Sequence, residues 1–415
     1  MLPDKKLPEY GIVVKAGGQC PWCDKAVELL RHTCTWTTAV EYREATDLEG
    51  LREALVRFGL APAAAARAAA FPQVVDIRRQ TPRLIGGYDK LCDAIDEPIL
   101  RPNPLRFSLF PIEHDDLFDL YKKSVASFWT PEEVSLSGDA VDWRTKLSDD
   151  ERHFIKHVLA FFAGSDGIVM ENLAANFAAE IQIPEARQFY ANQMFMEAVH
   201  SWQYALLIDA LATPQEALSL FRAIETVDPV RRKAAWAQKW TNPERRFAER
   251  LIAFVCVEGI LFSGSFCAIF WLKRRGVMPG LCLSNEFISR DEGMHYTFGC
   301  ALYGKLKHRV SERAVKAIIG EAVDTELSFV VDAIPCRLVG MNADLMQQYI
   351  KFVADRALVD LGYSKMYNAV NPFPWMELVG LQGKTNFFEQ MPSQYQRAGV
   401  MAVGDQQVFS TDGDF

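Results

Sequence analysis

The chain has 415 residues, of which 49% are hydrophobic, and it carries a formal net charge of −8 at pH 7. This length exceeds what one hydrophobic core usually serves, so we expect more than one domain. The acidic balance excludes a protein that binds nucleic acid through a basic face. Because no run of about 20 uninterrupted apolar residues is present, we expect no membrane partner.

The cysteine content favours a reducing compartment. Nine cysteines are spread along the chain, and several stand inside apolar runs, as Cys256, Cys267 and Cys282 do. Buried thiols of this kind suit the cytoplasm better than a framework of disulfides. The N-terminal residues MLPDKKLPEY lack the apolar core of a signal peptide, so we expect a cytoplasmic protein.

Residues 1–95 predict a small α/β domain in which short strands alternate with helices. The predicted strands are Tyr10–Lys15, Glu41–Glu44 and Gln73–Ile77. Residues Cys23–Arg31 are typical of a helix, and the alanine-rich residues 61–70 favour one by propensity. The pair Gly86-Gly87 marks a turn.

A redox motif, Cys20-Pro21-Trp22-Cys23, lies between the first predicted strand and the first predicted helix. A helix N-terminus offers unpaired N–H groups and a partial positive charge, and both stabilise a thiolate. We therefore expect Cys20 to be the nucleophile and Cys23 to resolve the mixed disulfide. Half of a zinc site is the alternative, although no second Cys or His pair follows in this domain at a suitable spacing.

This first domain resembles glutaredoxins over roughly residues 8–95, through three motifs that occur in the order of that family. The motifs are Cys20–Cys23, Phe71–Val75 and Ile85–Asp89. The resemblance implies a thioredoxin-like fold with a cis-proline beside the cysteines and a turn that binds glutathione. The residues that it assigns to these roles are Phe71, Pro72, Gly87, Tyr88 and Asp89.

Residues 96–111 contain four prolines and predict an extended linker. From 112 to 390, long segments carry apolar residues at helical spacing, so we expect an all-α bundle. The clearest segments are Glu151–Phe177, Ile183–Leu211, Phe247–Leu272 and Leu283–Leu306. Residues 391–415 lose this periodicity and predict a flexible tail.

Two Glu-x-x-His motifs stand in the helical region, at Glu197–His200 and at Glu292–His295. Residues three apart lie on one helix face, about 4.5 Å apart along the axis. One metal ion can therefore accept both the carboxylate and the imidazole of a motif.

Asp166 and Glu258 are each a single acid inside an apolar run. Burial of an uncompensated carboxylate is costly, so a nearby cation is expected. Together with the two motifs, these acids complete the ligand set of a dinuclear site that holds two metal ions per chain. The alternative is buried acids in hydrogen-bond networks with both histidines at the surface. His153 and His157, four residues apart, are expected to be packing or surface residues.

From about residue 97 to 415, the sequence resembles the small subunit of class I ribonucleotide reductase, eukaryotic type. The motifs that carry the resemblance are Phe128–Val134, Met196–Ser201, Ser289–His295 and Gly383–Glu389. It implies a ferritin-like bundle, a homodimer, and reduction of ribonucleotides together with a separate large subunit. It also implies a dimetal site and a tyrosyl radical. Iron is expected, with two manganese ions or one ion of each metal as the alternatives, because both metals use these ligand types.

Tyr204 follows His200 by four residues and therefore lies on the same helix face, beside one predicted metal. The resemblance assigns the radical to Tyr204 and a dry pocket around it to Phe262, Phe266 and Ile288. The alternative is that Tyr204 is a packed core aromatic.

The same resemblance implies a path for the radical from the metal site to the surface. Asp291 would join the Trp129 indole to a metal-bound histidine, His200 or its counterpart on the other metal. Tyr395 would relay the radical to the large subunit, and residues 409–415 would dock there. The alternative is that Tyr395 only docks on a partner.

The expected fold is thus multidomain, with a glutaredoxin domain fused to a ferritin-like bundle. The fused domain would supply electrons from glutathione at high effective concentration. Two other functions remain open. One is a different dimetal oxidase of ferritin-like fold, and the other is a regulatory paralogue that binds the large subunit without making a radical.

Overall fold

A four-stranded sheet with helices on both faces forms the N-terminal part of the described chain, and helices with their connecting loops form the rest of the described residues. The structure, a computed structural model, describes residues 10–17, 20–33, 40–77, 82–95, 97–101, 103–333 and 343–376. In the N-terminal part, the strands are β1 (Tyr10–Lys15), β2 (Val40–Ala45), β3 (Gln73–Asp76) and β4 (Arg83–Gly86). The helices are α1 (Pro21–Thr33), α2 (Leu48–Arg57), α3 (Pro62–Ala65) and α4 (Tyr88–Ile95).

The sheet has the strand order β2-β1-β3-β4, with β1 parallel to β2 and antiparallel to β3. Side chains alternate across β1, so Ile12 and Val14 pack with α1 and α4 while Val13 packs with α2 and α3. This gives a layer of helices on each face of the sheet.

Two local predictions in this part differ from the structure. The alanine-rich residues 61–70 form a helix only over Pro62–Ala65, because Ala65 and Ala68 pack on α2 and the chain then turns toward β3. Strand β4 was not predicted; its four residues end in a glycine that the sequence assigns to a turn. Pairing with β3, a long-range contact, specifies it.

From residue 115 onward the described chain is helical, as the apolar spacing predicted. The first helices are α5 (Asp115–Ala126), α6 (Ser137–Thr145), α7 (Asp149–Asn172), α8 (Pro184–Leu211), α9 (Pro214–Phe221), α10 (Ala223–Thr226) and α11 (Asp228–Thr241). The others are α12 (Phe247–Cys256), α13 (Ser263–Arg274), α14 (Pro279–Gly304), α15 (Glu312–Ala333) and α16 (Ala343–Asp360). Helix α8 packs against α5, α7 and α14, which places its middle in the core.

Two π-helical turns interrupt the long core helices. Leu173–Phe177 follows α7, and Val257–Leu261 joins α12 to α13. Such turns add one residue to a helical turn and re-aim the side chains around them, often at functional sites. Gly259 lies in the second turn, where a Cβ would come within 2.6 Å of the Tyr296 ring on α14. Glycine at this position therefore lets the two helices approach closely.

Two helical stretches are long and apolar enough to resemble membrane spans, Asp149–Glu180 and Phe247–Arg274. The apolar window of the second is entirely buried inside the protein, and half of the first is buried. The second stretch therefore fits a core helix of a bundle, which contacts apolar neighbours all round, and the first fits a helix with one buried face.

The chain between the sheet and the bundle packs closely on the helical region. Pro98–Leu100 form a 3₁₀ turn, which differs from the extended conformation that the prolines predicted. Ile99 is buried in the main core, and its carbonyl accepts a hydrogen bond from Gln182 N at 2.9 Å. Apolar burial of one side chain thus overrides the local preference of the prolines.

Candidate metal centre

Six buried side chains meet in the middle of the helical region, and all six were predicted as metal ligands. None is more than 2% exposed. Helix α7 supplies an aspartate, the π turn before α13 supplies a glutamate, and α8 and α14 each supply a Glu-x-x-His pair. The set is Asp166, Glu197, His200, Glu258, Glu292 and His295.

The ligand atoms form two groups, within each of which they lie no more than 4.8 Å apart. One group is Glu197, Glu258, Glu292 and His295, and the other is Asp166, Glu197 and His200. Because Glu197 belongs to both, the two groups are neighbours. This arrangement matches two adjacent cation sites.

Glu197 and Glu292 each place one carboxylate oxygen toward each histidine. His200 Nδ1 lies 3.0 Å from Glu292 Oε1 and 3.6 Å from Glu197 Oε2. His295 Nδ1 lies 3.0 Å from Glu292 Oε2 and 3.1 Å from Glu197 Oε1. Each of the two glutamates therefore faces both histidines.

The charges of the site also fit a metal pair. Each of its four carboxylates has one oxygen that finds no hydrogen-bond donor among the described residues. Burial raises the pKa of Asp166 and of Glu258 well above the usual range, and the neighbouring carboxylates add to this effect. Burial disfavours a charged His295, but Glu292 and Glu197 outweigh it and raise its pKa to about 9. Two divalent cations would supply the missing positive charge, so these residues fit a dinuclear centre.

Gln193 also contacts the site, although the sequence analysis did not single it out. This fully buried side chain donates from Nε2 to Glu258 Oε1 at 3.0 Å and lies 3.5 Å from Glu197 Oε1. It precedes Glu197 by four residues, and this spacing was the available signal, because it places both side chains on one helix face.

Tyr204 lies in a closed aromatic pocket next to the carboxylates. Its ring stacks on Phe162, with centroids 4.7 Å apart and planes 7° apart. Phe262 and Phe266 pack on Phe162 at 5.6 and 5.1 Å, and Ile288 is buried on α14. Phe162 was missed as a pocket residue, although it precedes Asp166 by four residues and so shares its helix face.

The phenol of Tyr204 is held in its neutral form. Its hydroxyl has no hydrogen-bond partner in the part of the chain that the structure describes. Burial raises the pKa of Tyr204, and the nearby carboxylates of Asp166, Glu292 and Glu197 raise it further. Conversion of this neutral phenol to a radical would remove its hydroxyl proton together with one electron, and the closed pocket would shield the product from solvent.

Asp291 joins Trp129 to His200, as the resemblance implied. Trp129 Nε1 donates to Asp291 Oδ2 at 2.8 Å, and the same oxygen lies 3.1 Å from His200 Nε2. Arg290 Nη2 lies 3.1 Å from the other oxygen, Oδ1. Burial raises the pKa of Asp291, but Arg290, His200 and Trp129 outweigh it and lower that pKa. Asp291 therefore remains ionised and orients both the indole and the imidazole.

Several predicted residues lie outside the described residues, and the structure places none of them. They are Tyr395, the Gly383–Glu389 motif and the C-terminal residues 391–415. His153 and His157 lie on α7 with ring centroids 4.1 Å apart and planes tilted by 47°, and they join neither ligand group.

The Cys20-Pro21-Trp22-Cys23 motif lies at the N-terminus of α1, where Cys20 and Cys23 form a disulfide. Cys23 is 4% exposed, whereas Cys20 is half-buried and Trp22 is 51% exposed. Cys23 N donates to Cys20 Sγ at 3.2 Å. Cys20 is therefore the more accessible sulfur, at the positive end of a helix.

The residues assigned to glutathione border this motif. The Phe71–Pro72 peptide is cis, and a Cβ on Gly87 would lie 3.7 Å from Pro72 O. The Tyr88 ring contacts Trp22 at 5.7 Å, while Asp89 is exposed in the first turn of α4. The structure thus brings the three motifs of this part of the chain to one edge.

Comparison with known proteins gives consistent matches for the helical region. Residues 106–372 match the family described as "Ribonucleotide reductase, small chain". One ribonucleoside-diphosphate reductase small chain from Arabidopsis thaliana is 58% identical, with 77% of this chain and 98% of the relative aligned. The Vaccinia virus (strain Ankara) small chain is 55% identical, with 77% of this chain and 100% of the relative aligned.

Solved structures match the same region. The Rnr4 homodimer of Saccharomyces cerevisiae has a TM-score of 0.65 and 38% identity, covering 69% of this chain and 91% of that chain. A dimanganese(II)-NrdF from Streptococcus sanguinis has a TM-score of 0.58 at 21% identity, covering 65% of this chain and 97% of that chain. The second match shows the fold alone. From the family match, the identities and the coverage, the chain belongs to the ribonucleotide reductase small-chain family.

Proposed function

We propose that this ribonucleotide reductase small chain generates and stores a radical at Tyr204. A separate large subunit would use the radical to reduce ribonucleoside diphosphates to deoxyribonucleoside diphosphates. The observation that carries the proposal is the position of Tyr204, which lies one helical turn after His200 and is closed in by Phe162. The site that we assign to the metals comprises Asp166, Glu197, His200, Glu258, Glu292 and His295.

Two iron ions, two manganese ions or one of each, bound there, would supply with oxygen as the oxidant the power to remove one electron and the hydroxyl proton from Tyr204. The residues of the chain prepare this step in three ways. Glu197 and Glu292, each with one carboxylate oxygen toward each histidine, would hold both metal ions. Asp291 orients His200 through Nε2 and leaves Nδ1 facing the site. The aromatic pocket excludes water from the phenoxyl oxygen, where a radical would otherwise be reduced.

The radical would leave through the chain Tyr204, His200, Asp291 and Trp129, and Tyr395 would pass it to the large subunit. Hydrogen bonds join His200, Asp291 and Trp129, and they support this part of the path, while Tyr204 lies one helical turn after His200 on α8. For the second part the support is the sequence resemblance, in which residues 409–415 dock on the large subunit. Two apolar ends, Phe409 and Phe415, flank acidic residues in this tail.

The N-terminal part would act as a glutaredoxin that reduces the large subunit. The Cys20 thiolate would attack a disulfide of the large subunit and release one of its thiols. Cys23 would then attack Cys20 Sγ in the mixed disulfide and release the second thiol, so two electrons pass and a Cys20–Cys23 disulfide forms. Two molecules of glutathione would restore both thiols and leave as glutathione disulfide. The accessible Cys20, the close approach of Gly87 to Pro72 and the Tyr88–Trp22 contact support this role. Phe71, Gly87 and Asp89 complete the edge at which glutathione would bind.

We also propose a cytoplasmic homodimer. Along α8, the apolar side chains of Phe195, Trp202 and Leu206 lie at helical spacing and are exposed in the single chain. A second copy would cover this face, and the yeast structural relative is described as a homodimer. Cys256 and Cys267 are free and buried, which is compatible with a reducing compartment.

The test of the radical function combines the iron-loaded or manganese-loaded chain with its large subunit. We expect a tyrosyl signal in electron spin resonance and deoxyribonucleotide formation. A metal-bound chain that oxidised other substrates and ignored the large subunit would indicate a different dimetal oxidase. A chain that bound the large subunit with no radical would indicate a regulatory paralogue.

The test of the donor function is Cys20→Ser. Glutathione with its reductase should support turnover by the wild-type chain with no added glutaredoxin, and the variant should lose this support. Dithiothreitol, which reduces the large subunit directly, should restore its turnover. The Tyr204 signal should not change, because the radical path does not include Cys20. Full glutathione-driven turnover in the variant would contradict the donor role.

A further inference from the structure

The N-terminal part contacts the helical region through buried carboxylates of α4 and of the segment after it. Asp93 on α4 accepts a hydrogen bond from Phe247 N at 3.1 Å and lies 3.4 Å from the Arg246 guanidinium. It is 9% exposed. Phe247 is the first residue of α12, which leads directly to the π turn that carries Glu258.

Glu97 makes a second contact of the same kind. Its two oxygens accept hydrogen bonds from Lys307 N at 3.0 and 3.1 Å and from His308 N at 3.2 Å. These backbone groups lie in the turn between α14 and α15, and Glu97 is 1% exposed. Asp93 and Glu97, four residues apart, thus both accept hydrogen bonds from backbone N–H groups of the helical region.

Exposed side chains of the N-terminal part also contact the helical region. Lys90 Nζ lies 3.3 Å from Pro243 O and 3.7 Å from Glu244, and Arg67 lies 3.3 Å from Glu244. We call Asp93, Glu97 and Arg246 the docking seam and treat the exposed pairs as its rim. Exposed ion pairs contribute little, whereas a buried carboxylate needs its partners in place. The seam therefore specifies one docked orientation, and a loose tether would not bury these acids.

Helix α4 connects the docking seam to the redox motif. It begins at Tyr88, whose ring contacts Trp22 between the two cysteines, and Asp93 follows five residues later. Five residues of helix rise about 7.5 Å, so one rigid element spans the two places. An orientation imposed at Asp93 is consequently imposed on the Cys20–Cys23 motif.

We propose that the docking seam holds the Cys20–Cys23 motif in a fixed position on the helical region, so that it reduces the large subunit bound to the same chain. This inference rests on the proposed donor function. When the large subunit binds, its disulfide then comes directly to the accessible Cys20. The N-terminal part does not have to diffuse on a flexible tether to reach it. The exchange itself is the two-electron thiol–disulfide step described above.

The test uses the full chain with one variant on each side of the seam, Asp93→Ala and Arg246→Ala. Arg246→Ala alters no residue of the N-terminal part, so it cannot unfold that part directly. Hydrogen exchange at the Phe247 amide and small-angle X-ray scattering measure whether the N-terminal part has separated from the helical region. Glutathione-dependent reduction of a small disulfide, 2-hydroxyethyl disulfide, reports that the Cys20–Cys23 motif still works. The rim variant Arg67→Ala is the matched control.

We expect faster exchange at Phe247 and a larger radius of gyration in both seam variants. Glutathione-driven turnover should fall about three- to tenfold, because a tether alone still gives an effective concentration near the millimolar range. Turnover with dithiothreitol and reduction of the small disulfide should not change. Arg67→Ala should resemble the wild type in every measurement.

Two results would overturn the inference: release of the N-terminal part with full glutathione-driven turnover, or unchanged exchange and scattering in both seam variants. Absence of glutathione-driven turnover in the wild-type chain would instead show that the donor function is wrong, and the inference with it.

Discussion

Trp129 donates its indole N–H to Asp291 Oδ2 at 2.8 Å across 162 residues of sequence. Both side chains are buried, and the same oxygen contacts His200 at 3.1 Å. Asp291 is therefore the one carboxylate beside the metal centre, among the described residues, that links a predicted ligand to a tryptophan. This link is the structural basis for expecting radical transfer out of the site.

Trp129→Phe should keep the metal ions and the Tyr204 radical but stop turnover with the large subunit. The substitution retains an aromatic ring and removes the N–H that binds Asp291. We expect turnover to fall at least about 100-fold, since the path would lose its connection. Trp240→Phe is the control, because Trp240 donates to Glu321 at 2.7 Å away from the site. Normal turnover in Trp129→Phe would remove Trp129 from the path.

Tyr204→Phe should bind both metals yet show no tyrosyl signal and no reductase activity. Its stability should stay within about 1 kcal/mol of the wild type, because the lost hydroxyl has no partner in the described structure. Tyr190→Phe is a matched control, since Tyr190 is also buried on α8 and its hydroxyl has no hydrogen-bond partner among the described residues. Electron spin resonance compares the two variants. A radical that disappeared in Tyr190→Phe and persisted in Tyr204→Phe would reverse the assignment.

His200→Ala and His295→Ala should each lower the metal content below the two ions per chain that we expect. Each variant loses an imidazole that faces both bridging glutamates. Metal analysis after reconstitution measures the content, with the exposed His153→Ala as control.

Removal of the metals from the wild-type chain should also lower its thermal stability, because the buried carboxylates then repel one another. A ligand present at 100 times its dissociation constant stabilises the folded state by about 2.7 kcal/mol. An equal melting temperature with and without metal would contradict the role of the carboxylate cluster.

Lys233 and Glu326 form a buried ion pair at 2.7 Å outside the metal centre. Burial lowers the pKa of Lys233 to about 8, although Glu326 opposes this effect. Lys233→Met should lower the free energy of unfolding by about 3 kcal/mol, because it leaves Glu326 buried without its counter-ion. Adding Glu326→Gln should recover most of that loss, since the amide oxygen can still accept from Gly264 N. Urea titration of Lys233→Met and of the double variant measures both free energies of unfolding.

Deletion of residues 409–415 should abolish binding of the large subunit, while Tyr395→Phe should bind normally and fail to turn over. These two variants distinguish docking from radical transfer. Removal of the whole tail would abolish both functions at once. Surface plasmon resonance measures binding, and deoxyribonucleotide formation measures turnover. Turnover at the wild-type rate in Tyr395→Phe would leave Tyr395 as a docking residue only.

Local spacing in the sequence was enough to predict which helix faces carry the candidate ligands. Glu197 and His200 share a face because they are three residues apart, and Tyr204 follows one turn later. The apolar run around a single acid such as Asp166 indicated that the carboxylate is buried. Because burial of an uncompensated carboxylate is costly, it also indicated a nearby cation. These inferences need only helix geometry and the free energy of burying charge.

Tertiary packing alone decided the partners of these groups. Phe162 lies over Tyr204, Gln193 binds Glu258, and Asp93 joins the N-terminal part to α12. The 3₁₀ turn at Pro98–Leu100 also followed from burial of Ile99, where the prolines predicted extended chain. Periodicity specifies the face on which a side chain lies. The residue that it meets there depends on how distant helices pack, and no local spacing encodes that packing.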